Sequence, residues 1–329
     1  MPRAPRIEFA GAIYHVMNRG DHLEPIFADD RDRERFIETL GEGCESAGWA
    51  VHSFVLMPNH YHLLLETLRP TLVKGMQWLN ATYTQRYNAR HRTRGHLFQG
   101  RYKALLVDGD SGGYLLTVSD YIHLNPVRAK RVRTAQELWA DRWSSAGWLA
   151  GKRSKRPAWL RAERVFGELG LGRWDRKSQH LYAEYLGRRA TETTATEPQW
   201  DQIRRGWCLG AETFREAMRA RLAEFAQGPS RPDRWSGEAV EELEQHRATR
   251  LLGEALQVLG CGTGQQLRGA ERFLVARFIR SRTKVSVGWL AQQLGVRTRG
   301  TMSNGLCLIT QRLDQDKALA RKWRQLGEL

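Results

Sequence analysis

Apolar and polar positions in the first part of the chain switch repeatedly between a period of two and a helical period. Ile7 to Val16 alternates loosely and is rich in β-branched and aromatic residues, which predicts a first strand ending at a turn around Asn18-Arg19-Gly20. Asp30 to Ala47 sets Phe36, Ile37 and Leu40 among charges, the spacing of one helix face. Ala50 to Met57 and His60 to Thr67 read as two strands joined at Pro58-Asn59, where proline has no N–H to give to a ladder. Thr71 to Asn88 returns to helical spacing through Leu72, Met76, Leu79 and Tyr83, and the basic loop Ala89 to Gly95 closes it. His96 to Val107 suits a further strand, and a helix capped near Ser111 runs to about Leu124, halted by Pro126. The order β-α-β-β-α-β-α predicts an α+β, ferredoxin-like antiparallel sheet with helices packed on one face.

After Trp143 the basic stretch Gly151 to Pro157 marks the end of this first domain. Ala158 to Leu222 holds short helical patterns broken by the polar run Thr191 to Thr196, and Gly237 to Leu329 reads as nearly all helix. The expected organisation is a domain over 1–148, a helical connecting region over 149–236 and a helical domain over 237–329. Within the last, Ser286 to Val296 has the apolar spacing and terminal glycine of a short helix and turn. The basic, polar run Arg297 to Asn304 then opens another helix. That is the pattern of a helix-turn-helix, with Arg297 and Arg299 as candidate DNA contacts. A plain three-helix bundle has the same apolar spacing, and the local basic charge favours DNA binding.

Charge narrows the class of partner. The 329 residues carry 52 Lys+Arg against 36 Asp+Glu, a net charge of +16, which favours a polyanion through phosphate neutralisation and counterion release. An anionic membrane surface would satisfy the same charge. No apolar stretch is long enough to span a bilayer, however, and the N-terminal sequence lacks a signal-peptide core, so a cytoplasmic protein with no membrane partner is expected. Cys44, Cys208, Cys261 and Cys307 are scattered without a C-x-x-C pair, which points to reduced, structural thiols rather than a zinc knuckle or a disulfide framework.

One constellation carries chemistry. His60 and His62 are two apart on a predicted strand and therefore share a face, so both imidazoles can converge on one ion. Tyr121 and Asn125 are four apart on a predicted helix, stacked on adjacent turns. If that helix crosses the sheet beside the histidines, the amide oxygen of Asn125 completes an N/O site. Such a site suits Mg²⁺ or Mn²⁺ and has room for phosphate oxygens, with a phenol nucleophile at hand. Taken singly, each part has a plainer reading: two hydrogen-bonded strand histidines, and a half-buried tyrosine with a C-capping asparagine before proline.

The wording of the motifs goes further. Met57-Pro58-Asn59-His60-Tyr61-His62-Leu63-Leu64, followed by Phe98-Gln99-Gly100-Arg101-Tyr102-Lys103 and then Tyr121-Ile122-His123-Leu124-Asn125-Pro126-Val127-Arg128-Ala129, resembles the REP-associated tyrosine transposases. These are HUH-type relatives of the insertion-sequence single-strand transposases, and the resemblance covers Ile7 to about Trp148. It implies that His60 and His62 are the HUH histidines, Tyr121 the catalytic tyrosine, and Asn125 the third metal ligand, where the insertion-sequence relatives have Gln. It further implies single-stranded and hairpin DNA as substrate, cleaved through a 5′-phosphotyrosine intermediate. Arg101 and Lys103 are candidate phosphate contacts or a solvated strand edge. Tyr14, His15 and Asn18 resemble a patch the family uses near DNA, although His15 reads equally as an ordinary polar strand residue. His123 points away from the Tyr121 face, and Glu66 lies about 13 Å along the strand from His62, too far to share its ion.

Glu271 to Leu319 resembles the DNA-binding domain of the bacterial replication initiator DnaA, and Trp200 to Arg221 resembles a segment of longer transposase relatives, read here as packing. Two competing functions stay in view: a DNA-binding regulator that does not cut, and a metal phosphodiesterase that activates water and survives loss of Tyr121. The oligomeric state is not legible.

Overall fold

The computed structural model describes residues 6–192, 199–227, 237–260, 267 and 269–329. Part of the Thr191–Thr196 run and Cys261 lie outside the described residues. The chain forms two compact units, Arg6–Arg221 and Leu222–Leu329.

The first unit is built on β1 (Ala12–Arg19), α1 (Asp30–Ala47), β2 (Trp49–Met57), β3 (His60–Thr67), α2 (Leu72–His91), β4 (Lys103–Val107) and α3 (Tyr114–His123). This is the expected order of elements. The α1 start is set by Asp29, whose side chain accepts from the Asp32 backbone N–H, and its end by Gly48 in the left-handed region at φ 69°. The β1 strand continues through Asn18 and Arg19, where the sequence predicts a turn, because Gly20 makes a further bridge to Phe98. Of the predicted strand His96 to Val107, only Lys103–Val107 is ladder.

Sheet order is β2-β3-β1-β4-β5, with β5 a two-residue strand (Cys208–Leu209) running parallel to β4. This strand has too few residues for a periodicity to show, and it makes the sheet mixed rather than purely antiparallel. The helices also occupy both faces, where one face is expected. Tyr61 meets Phe36 of α1 and Asn80 of α2 on one side. On the other, Ser53 bonds Ser119 of α3, and His62 stacks edge-on to Tyr121 of α3. Strands buried on both faces read as apolar runs, and β1 and β2 are buried along almost their whole length. The α2 helix reaches β2 closely because position 75 is glycine: a Cβ there would lie 2.1 Å from the Trp49 ring.

Past α3 come α4 (Asn125–Arg128), α5 (Ala135–Ala140), α6 (Ala146–Leu149), α7 (Glu163–Glu168), α8 (Arg176–Glu192), α9 (Gln199–Arg205) and α10 (Glu212–Gln227). Much of the stretch expected to be a connector thus belongs to the first unit. Its backbone pairs with the outer edge of β2, through Leu56 N–H to Trp143 O at 2.7 Å and Arg161 N–H to Val51 O at 2.7 Å, which occupies an otherwise open strand edge.

The second unit holds α11 (Glu238–Val258), α12 (Ala270–Arg282), α13 (Val287–Gln293), α14 (Arg299–Gln315) and α15 (Lys317–Gly327) around Leu274, Phe278, Leu290, Met302 and Ile309. Ser286 caps α13 and Thr298 caps α14, each accepting from the backbone N–H three residues on. Gly295, at φ 62°, turns the chain between them.

Candidate active site

Two strands and two helices bring the predicted residues together. His60 and His62 project from the same face of β3 with ring centroids 5.0 Å apart and planes at 89°. His62 lies opposite Met17 of β1, so His15, two residues back on the same face of β1, reaches it diagonally. His15 Nε2 is 2.9 Å from His62 Nδ1, and both side chains are 1% exposed. The Tyr121 ring stands edge-on to both, with centroids 5.5 Å from His62 and 5.6 Å from His15. Asn125 Nδ2 is 3.2 Å from His62 Nε2.

Tyr121 and Asn125 do not lie on one continuous helix as expected. The α3 helix ends at His123, Leu124 sits at φ −86° and ψ 0°, and Asn125 opens α4 with Pro126 in its first turn. Proline has no N–H for the carbonyl four residues earlier, which ends α3, and its fixed φ is compatible with the first turn of α4. The break leaves Asn125 able to face His62 while Tyr121 stays beneath it.

The hydrogen bonds fix the tautomers. His60 Nδ1 meets the Asn59 amide oxygen at 2.8 Å and must donate to it, which leaves the Nε2 lone pair free. His62 Nε2 accepts from the Asn125 amide, so Nδ1 carries the proton and donates to His15. Burial lowers the pKa of His60 to about 4, with the Arg19 guanidinium adding to the effect, and lowers that of His15 to about 3. His62 is pushed well below the ordinary range by burial and by its two histidine neighbours. All three are neutral near pH 7, the form that binds metal.

A divalent ion fits this donor set. Two Nε2 atoms have their opposite ring nitrogens engaged, the usual arrangement of ligating histidines, and a half-turn of the Asn125 amide exchanges Nδ2 for Oδ1 at an almost unchanged position. Among the described residues no group of three or more His, Cys, Asp and Glu is arranged to hold a metal. His15 cannot serve, since its Nε2 is committed to His62. The set His60, His62 and Asn125 is therefore neutral and leaves the charge of a divalent ion for phosphate oxygens to balance.

Two neighbours of Tyr121 are not predicted from the sequence. The Arg128 guanidinium lies 4.3 Å from the centroid of Tyr121 and 4.9 Å from that of Trp200, and Nη2 donates to the Tyr121 carbonyl at 2.7 Å. Trp200, 1% exposed on α9, packs its ring 5.3 Å from Tyr121. Arg128 stands within the motif that begins at Tyr121, seven residues on, whereas nothing in the periodicity around Trp200 points to the nucleophile. His123 sits in the core between the Tyr182 hydroxyl at 2.7 Å and the Ser145 hydroxyl at 2.6 Å. Glu66 pairs with His52 and Arg164. Arg101 and Lys103 are exposed at the entry to β4, and Arg297 and Arg299 are exposed at the entry to α14.

No curated protein matches the chain. One similar solved structure is described as the REP-associated tyrosine transposase bound to a REP hairpin. It is 12% identical, with 49% of this chain and 92% of that chain covered, at a TM-score of 0.39. The family model described as "Transposase IS200 like" matches residues 9–125, the stretch that supplies His15, His60, His62, Tyr121 and Asn125. Over that stretch the chain is similar to the IS200-like transposases.

Proposed function

We propose that this chain is a metal-dependent endonuclease and strand-transferase for single-stranded DNA at hairpin-forming repeats, with Tyr121 as nucleophile and His60, His62 and Asn125 as ligands of Mg²⁺ or Mn²⁺. The observation that carries the reading is the approach of Tyr121 and Asn125, from two helices, to His62, the buried member of a neutral histidine pair, with Asn125 at its Nε2. When bound, the ion supplies Lewis-acid polarisation of the scissile phosphate.

The protein's own groups do the rest. His15 and Asn59 hold the two imidazoles in the tautomer that presents Nε2. Arg128 and Trp200 pack against the Tyr121 ring and restrict its orientation, and the Arg128 charge favours an anionic phosphate nearby. The Tyr121 oxygen forms a bond to phosphorus and loses its proton. The P–O3′ bond breaks, the 3′ oxygen leaves and takes up a proton, and the 5′-phosphate stays esterified to Tyr121. Because the ester keeps the energy of the broken phosphodiester, a DNA 3′-hydroxyl reverses the step and joins strands without ATP. Arg101 and Lys103 serve the strand's phosphates. In the second unit, α13 and α14 act as a helix-turn-helix that adds duplex affinity through Arg297 and Arg299, in keeping with the resemblance to the DnaA domain.

Incubation with hairpin-bearing single-stranded DNA and Mg²⁺ or Mn²⁺, followed by a denaturing gel, tests the reading. A protein–DNA adduct is expected, and Tyr121→Phe abolishes it while hairpin binding is kept. Undiminished cleavage by that variant would establish water as the nucleophile instead. Binding without cleavage by the unaltered protein would make it a regulator.

A further inference from the structure

On the face of the sheet opposite Tyr121 lies a cavity of about 590 Å³, between the end of β1, the middle of α2 and the loop leading into β4. Its polar lining has no part in the cleavage chemistry. Asn18, 4% exposed, accepts the Arg19 backbone N–H on Oδ1 at 3.0 Å, while its Nδ2 makes no close hydrogen bond among the described residues and has only a weak interaction with the Tyr61 hydroxyl. Unmet buried donors are rare in folded proteins because they forfeit hydration without replacement. Asn80 is engaged in the same sense: its Oδ1 accepts the Tyr61 hydroxyl at 2.8 Å, so its N–H group is what remains to offer. Thr84 and Gln85 line the next turn of α2, the buried Phe98 ring contributes a flat apolar wall, and the exposed Arg101 supplies a cation.

The geometry points to a pocket that takes one unstacked nucleobase of the keto class, thymine or guanine, from single-stranded DNA. An aromatic wall, amide donors and one cation, with the Asp21 carboxylate in the same lining, match a base with its phosphate on the Arg101 side, since unpaired bases are held by stacking and by hydrogen bonds to their edges. The preference follows from which atoms are already used. Both carboxamide oxygens accept protein hydrogen bonds, so the pocket floor presents donors. Keto bases bring carbonyl acceptors to meet them, whereas the exocyclic amines of adenine and cytosine would set donor against donor. The pocket is close to the proposed chemistry, because Arg19, next to Asn18, pairs with His60 across β1 and β3. A strand bent round the end of the sheet would place one base here and another nucleotide's phosphate at Tyr121. The inference rests on the reading that the chain handles single-stranded DNA.

Fluorescence anisotropy with the full chain and three 20-mers, dT20, dA20 and a strand of abasic units, tests it. The unaltered protein binds dT20 more tightly than dA20 or the abasic strand. Asn18→Ala weakens dT20 by about tenfold, the scale of a single hydrogen bond to a base, and leaves the other two probes unchanged. Thr84→Phe fills the cavity from a half-buried helical position and has the same selective effect, so it decides the matter if Asn18→Ala does not fold. Equal weakening of all three probes, no weakening, or no preference for dT20 by the unaltered protein overturns the proposal. Adduct formation by Tyr121 is a separate readout. Base selectivity without an adduct would sink the cleavage reading alone, and an adduct without base selectivity would sink the pocket alone.

Discussion

At the scale of the residue, burial of neutral histidines makes the first unit sensitive to acid. His15 and His123 have their pKa lowered to about 3 and His60 to about 4, against 6.5 for an exposed imidazole, each mainly by desolvation. Above pH 6.5 the folded and unfolded forms are alike in leaving these rings neutral, and the stability they permit is complete. Below it the unfolded chain takes up a proton on each ring while the folded form resists until about pH 4 or 3. Stability therefore falls as pH drops through that window, by up to about 1.4 kcal/mol per pH unit for each histidine. Melting the metal-free protein between pH 7 and 5, above the range of most carboxylates, is expected to show a steadily falling Tm. A flat profile would mean that the rings are charged or solvated in the fold. His15 is the instructive case: as a strand residue it is indistinguishable from any polar one, and only the diagonal across β1 and β3 makes it the support of His62.

At the scale of the element, glycines mark where helices come closest. In the second unit a Cβ at Gly305 of α14 would sit 2.1 Å from Cδ1 of Phe273 on α12, whereas one at Gly253 of α11 would meet nothing within 4 Å. Both are helical, so their intrinsic preferences are equal and the surroundings decide the sign. Gly305→Ala is expected to destabilise the unit by about 1–3 kcal/mol through overpacking, and Gly253→Ala to stabilise it by about 0.5–1 kcal/mol through backbone entropy. Urea unfolding of the two variants checks both, and a stabilising Gly305→Ala would show that α12 and α14 are not in contact in solution. The break at Leu124 belongs to this scale as well. Sequence spacing puts Tyr121 and Asn125 on one helix, and the proline after Asn125 predicts the end of that helix. That it also begins the next one depends on the tertiary position of α4 against His62.

For the whole molecule, the net charge of +16 is a statement about partners rather than about fold. The exposed Arg297 and Arg299 flank Thr298, the cap of α14, which is where a recognition helix meets a phosphate backbone. Replacing both with Ala should weaken duplex binding and flatten its dependence on salt by about two units of slope, near 0.9 for each phosphate that is no longer neutralised. Filter binding across a salt series measures this, and an unchanged slope would make α13 and α14 a packing module.

Local rules, legible in the sequence, determined the order of elements from β1 to α3, the helical character of the last ninety residues, and the pairing of His60 with His62 on one face of a strand. Each depends on side-chain period, on capping residues or on proline, all of which act within a few positions of the chain. Tertiary structure alone decided the rest. It set α3 on the opposite face from α1 and α2, added β5 from a segment about a hundred residues past β4, and drew Trp200 against Tyr121. These are long-range approaches made by residues whose local patterns are ordinary, so no window of sequence holds the information that places them.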